Sequence, residues 1–111
     1  MRMAIVTANV TTSGTDVYTS SGNSAVTFAS FCNYSASSVS ANIHVVPSGD
    51  SVSTLNLAIV GLELTASGNA TGDTYQLYSG GEKLLLENGD ILHVVANANN
   101  AITAVVSYTS I

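Results

Sequence analysis

Apolar positions along the chain come in short runs separated by turn-forming residues, and no run keeps helical spacing. Met3 to Val10 is rich in β-branched residues. Asp16 to Thr19 follows the loop Thr11-Thr12-Ser13-Gly14, and Ser24 to about Tyr34 follows the turn Ser21-Gly22-Asn23. Val39 to Val46 alternates, with Val39, Ala41, Ile43 and Val45 on one face and Ser40, Asn42, His44 and Val46 on the other. Period-two alternation marks a half-buried strand. Pro47-Ser48-Gly49-Asp50 ends it, since proline presets one turn dihedral and glycine supplies a positive φ.

In Leu55 to Leu64, Leu55, Leu57 and Ile59 share one parity, and Leu62 and Leu64 take the other after Gly61. A parity flip at a glycine predicts a β-bulge; the alternative is a strand buried on both faces. Thr74 to Tyr78 is a strand with Tyr75 and Leu77 on one face, broken by Ser79-Gly80-Gly81. Lys83 to Glu87, the turn Glu87-Asn88-Gly89-Asp90 and Ile91 to Ala96 together predict a type I′ hairpin. Ala101 to Thr109 closes the chain with Ile102, Ala104, Val106 and Tyr108 on one face. Eight or nine short strands without significant helix predict an all-β antiparallel β-sandwich, jelly-roll-like, or a small barrel, as a single domain over 1–111.

Composition narrows the function classes. Ser, Thr, Asn and Gly make up 47 of the 111 residues and charged residues only 8%, so the polar surface is hydroxyl and amide. Two basic residues against seven acidic ones give a net charge of -5. Arg2 and Lys83 cannot build a phosphate-neutralising surface, so neither a nucleic-acid partner nor an anionic membrane is expected. No stretch approaches the length of a membrane-spanning helix, and the first ten residues lack the apolar core of a secretory leader. Cys32, the one cysteine, is expected to be a packed, unreactive thiol.

Candidate chemistry is sparse. His44 and His93 can form a metal pair only if the strands bring them together and Asp90 or Glu87 adds a third ligand, so no metal or other cofactor is expected. Asp16, Asp50, Asp73 and Asp90 sit beside Gly or Thr in predicted turns, where Asp caps backbone N–H groups, rather than as a glycosidase pair. No Gly-x-Ser-x-Gly elbow or phosphate loop occurs. The loop Ser67 to Asp73 has calcium-compatible oxygens without EF-hand spacing. Asn9-Val10-Thr11, Asn33-Tyr34-Ser35 and Asn69-Ala70-Thr71 are sequons in a chain full of Asn, Ser and Thr. Tyr18, Tyr34, Tyr75, Tyr78 and Tyr108 either stack on sugars or anchor an interface, or lie half-buried with the hydroxyl at the rim. No catalytic residue is expected.

Five segments in order carry a resemblance: Val17 to Ser20, Cys32 to Ser35, Val45 to Gly49, Lys83 to Asp90 and Val106 to Tyr108. With these, the whole chain resembles small β-sandwich virion proteins of tailed bacteriophages, including cyanophages. The resemblance implies a non-enzymatic structural protein located in the virion. It would be a capsid decoration or cement protein contacting the major capsid protein, or else a tail, baseplate or fibre component, with host-surface carbohydrate binding as a further alternative. Homo-oligomers are usual for such folds, and a trimer is expected first. The run Met3 to Val10 carries no charge to discourage strand pairing. Residues 1–10 are therefore expected to form an N-terminal assembly arm, with Met3, Ile5, Val6, Val10, Tyr75 and Tyr78 as interface residues.

Overall fold

The computed structural model describes residues 3–66, 74–77 and 83–111. They form β1 (Met3–Val10), β2 (Thr15–Thr19), β3 (Ser24–Asn33), β4 (Val39–Val46), β5 (Leu57–Leu64), β6 (Thr74–Leu77), β7 (Leu84–Leu86), β8 (Ile91–Ala96) and β9 (Ile102–Ser110). The predicted Ser79-Gly80-Gly81 break, the loop Ser67 to Asp73 and Tyr78 lie outside the described residues.

Two antiparallel sheets pack together. One has the order β1-β9-β3-β6, with β7 also on β3; the other has the order β2-β8-β4-β5. β7 pairs with Ser24 to Val26 and β6 with Ala29 to Cys32, so the two share one strand position beside β3. Eight positions in the orders 1-9-3-(6,7) and 2-8-4-5 make a jelly roll, the double-sheet wind of two Greek keys. Only β4 and β5 are neighbours both in sequence and within a sheet; every other connection between described strands of different position crosses the sandwich.

Cross-strand partners share a face, so the registers assign each side chain. Val39, Ala41 and Ile43 point into the core as the alternation predicts, with Val45 partly buried against it. Ile102, Ala104 and Val106 meet them from β9, and Phe31 is the largest fully buried side chain among the described residues. Burying a side chain of that size stabilises by roughly 2–3 kcal/mol.

Four register shifts set the parity. Val60 and Gly61 together stand opposite Asn42, whose Oδ1 accepts the Gly61 N–H at 2.8 Å. The predicted flip is therefore real: Ile59 and then Leu62 and Leu64 face inward. Gly61 takes φ +63°, and a Cβ there would meet nothing within 4 Å. Gly61→Ala should cost only the left-handed backbone penalty, about 1 kcal/mol, read as a small drop in thermal midpoint. A second extra residue on β5, Ala58, lies between the pairs Ile43↔Ile59 and His44↔Leu57, so Leu57 faces outward although the alternation puts it on the same face as Ile59. The remaining two shifts lie in β3 and β2. Thr27 is the extra residue against β9, and Val17 the extra residue against β8. The latter lets Val17 and Tyr18, adjacent in sequence, both be buried.

Two expectations are corrected. Leu55 is not in a strand; it sits in a 3₁₀ turn, Thr54–Asn56, and is 96% exposed. A capping box builds that turn: Ser53 Oγ accepts from Leu55 N, and Asn56 Oδ1 accepts from Ser53 N. The 87–90 turn is also not a hairpin, because β7 and β8 belong to different sheets. A type I′ turn needs positive φ at both central residues, and here only Gly89 has it, at +89°. The turn lacks the twist that returns a strand on itself, so it carries the chain across the sandwich.

Residues 3–10 are integrated into the fold. β1 pairs with β9 at every position from Met3↔Thr109 to Val10↔Ile102. What remains for assembly is the outer edge and outer face of β1. Deleting 1–10 would strip a strand from the core and report on folding.

Candidate functional site

Side chains with chemical potential fall into a histidine row and a set of linked turns. The row crosses the outer face of the four-stranded sheet as Leu57, His44, His93 and Asp16, each opposite the next. The two histidines do meet, with ring centroids 6.0 Å apart and the rings edge-on at 69°. His93 Nδ1 donates to Asp16 Oδ1 at 2.6 Å. His44 Nδ1 lies 3.1 Å from both Ser53 O and Asn56 Oδ1; both accept, so Nδ1 carries the proton. His44 is on the outer, polar face as predicted, yet buried, because the segment from Ser51 to Asn56 folds over it.

Asp16 lies in β2 rather than in a turn, and it is the acid that reaches a histidine; Asp90 and Glu87 do not. Among the described residues no group of three or more His, Cys, Asp or Glu can hold a metal ion. His93 Nε2 abuts Gly14, where an added Cβ would lie 2.4 Å away. The row is a packed staple that fastens the β1–β2 turn to β8. The Asp16–His93 contact was not legible in the sequence, because the bulge at Val17 sets that register. The Ser53-x-x-Asn56 spacing was the available signal for the lid over His44.

The turn residues are also committed to the fold. Asp90 caps as predicted, with Oδ1 accepting from Ser48 N at 2.8 Å and Oδ2 from Glu87 N at 2.9 Å. It thereby ties the Pro47–Asp50 turn to the 87–90 turn, and Asn88 Oδ1 accepts from Gly22 N at 2.8 Å. Asn33 is fully buried, so the sequon at Asn33 offers no accessible amide in the folded chain. Its Nδ2 donates to Ser37 O, Leu64 O and Thr65 O at 2.8–3.0 Å, and its Oδ1 accepts from Ser35 N and Ser35 Oγ.

A buried hydroxyl chain has one direction. Ser20 Oγ must donate to Gly22 O at 2.7 Å, so Ser24 Oγ donates to Ser20 at 2.6 Å and Tyr18 donates to Ser24 at 3.0 Å. Tyr18 also stacks on Tyr108 with centroids 4.3 Å apart. Tyr18 thus ties β2 to β9, and Ser48 ties the Pro47–Asp50 turn to Asp90.

The residues expected at an interface separate. Val10 is fully buried and Val6 packs, partly buried, against the core, because even-numbered positions of β1 face β9's inward residues. Ile5, on the odd face, is 67% exposed. Tyr75 lies opposite Phe31 at the sheet edge and stays 38% exposed. Tyr34 is exposed, its hydroxyl accepting from Asn9 Nδ2 at 2.9 Å. The side chain of Met3 and all of Tyr78 lie outside the described residues. Cys32 is half-buried.

A depression over β4 and β8, lined by Ser40, Asn42, Val95 and Asn97 among others, holds about 170 Å³, and a larger open one beside the 3₁₀ turn, lined by Pro47, Asp50, Ser53, Leu55 and Asn56 among others, holds about 330 Å³, at the lower end of the ~300–1,000 Å³ of small-molecule sites. Among the described residues no helix is long and apolar enough to cross a membrane. Comparison with models of protein families, with curated proteins and with solved structures finds no match.

Proposed function

We propose that the chain is a non-enzymatic structural protein of a phage particle, present in several copies and decorating or cementing the capsid shell. The observation that supports this most is the jelly-roll strand order, an architecture that viral capsid and lectin domains share. The architecture is an analogy, and the second support is how the polar residues are spent. Asn33, Asp90, Asn88 and the Tyr18–Ser24–Ser20 chain all hold backbone in place. Such wiring suits a part that must survive outside a cell. The exposed Tyr34 and Tyr75 favour a second reading, a tail or fibre part that stacks on host-surface sugars.

Quantitative mass spectrometry of purified particles, with the major capsid protein and the portal as internal standards, tests the reading. A copy number comparable to the capsid protein is expected. A portal-like number moves the protein to the tail, and absence from the particle overturns the structural role.

A further inference from the structure

The two outer sheet faces differ in charge. On the five-stranded sheet, the outward positions are the odd residues of β1 and β9, Cys32, Ser30, Phe28 and Ala25 of β3, Thr74 and Gln76 of β6, and Leu85 of β7. None is charged. The described charges lie elsewhere. Asp16 and Glu63 are on the outer face of the other sheet, Asp50, Glu87 and Asp90 are in turns, and Lys83 is at the rim where β7 begins. Across the uncharged face Ile5 is 67% and Leu85 68% exposed, with half-buried Phe28 and Val105 between them.

We propose that this face joins two copies of the chain, packed sheet on sheet about a two-fold axis. A chain with net charge -5 repels its own copy wherever carboxylates approach. On this face no described carboxylate is opposed or desolvated, and burying hydroxyls and amides costs far less than burying ions. The exposed apolar residues Val52, Leu55 and Val60 lie in a stretch bounded in sequence by Asp50 and Glu63, so two copies meeting along it would bring like charges near each other.

Size also fits. Four strand positions about 4.8 Å apart, three of them strands of eight to ten residues rising about 3.3 Å each and the fourth shared by the four-residue β6 and the three-residue β7, span roughly 600 Å² before side-chain relief. That is on the order of the ~800 Å² per partner of a standard interface. A face that meets its own copy closes as a pair, so a dimer replaces the trimer expected from the resemblance. The proposal stands independently of any place in a particle.

Sedimentation equilibrium of the full chain tests it. Wild type is expected at twice the chain mass of 11.3 kDa. Ile5→Glu with Leu85→Glu should weaken the dimer at least ~100-fold, because each copy then buries two carboxylates, while Leu55→Glu leaves it intact. If the glutamate pair unfolds the chain, as circular dichroism would reveal, Ile5→Thr with Leu85→Thr keeps strand formers and should still weaken the dimer ~10-fold. A wild-type monomer or trimer, a dimer indifferent to both pairs, or one broken by Leu55→Glu overturns the proposal.

Discussion

Asn33→Ala should lower the thermal midpoint by on the order of 15 °C, corresponding to about 3 kcal/mol for a domain of this size. The amide sits at the end of β3, fully buried, and its Nδ2 serves three carbonyls on two segments far apart in sequence, Ser37 and the pair Leu64 and Thr65. Alanine leaves those carbonyls short of a donor away from water. It also frees the turn that Oδ1 closes through Ser35. Asn33→Asp should be worse, since it sets a carboxylate against three carbonyl oxygens. Thermal melts followed by circular dichroism decide the matter. A midpoint for Asn33→Ala within about 3 °C of wild type would mean that the amide is replaceable by water, which a buried site of this kind does not readily allow.

The strands were legible because their information is local. Alternation in Val39 to Val46 and the parity flip at Gly61 each follow from residues within one run, and both appear in the structure. Pairing is not local. The Asn88-Gly89 signal predicts a hairpin, but a dipeptide cannot say whether the next strand stays in the sheet, and here Asn88 Oδ1 and Gly89 N instead bond Gly22 N and Ser20 O across the sandwich. The bulges at Thr27 and Val17 carry no glycine, so nothing in the sequence marks them. An unmarked bulge displaces every later register, and for this reason the sequence does not show that Asp16 meets His93. β1 shows the local kind of signal again. Thr7 and Asn9 share the parity of Ile5, so alternation within the run already marks the odd face as the one that meets water, and the register with β9 agrees.

Gly14→Ala tests whether the histidine row acts as one unit. Gly14 has φ +98°, so any side chain costs about 1 kcal/mol in backbone alone. Unlike Gly61, it also has a close neighbour, since the new Cβ would lie 2.4 Å from His93 Nε2 and 2.8 Å from Cε1. The imidazole cannot easily step aside, because Asp16 holds Nδ1 at 2.6 Å and His44 lies edge-on to the ring. The substitution should therefore cost roughly 3 kcal/mol, of which the clash supplies about two-thirds. A double-mutant cycle separates the parts. In a His93→Ala background the Gly14→Ala penalty should fall to about 1 kcal/mol, the value expected for Gly61→Ala. Equal penalties in both backgrounds would mean that the ring moves freely and that the β1–β2 turn does not depend on it. A coupling of about 2 kcal/mol would identify His93 as the wedge that fixes how β2 enters its sheet, two residues before the bulge that buries Val17 and Tyr18 together.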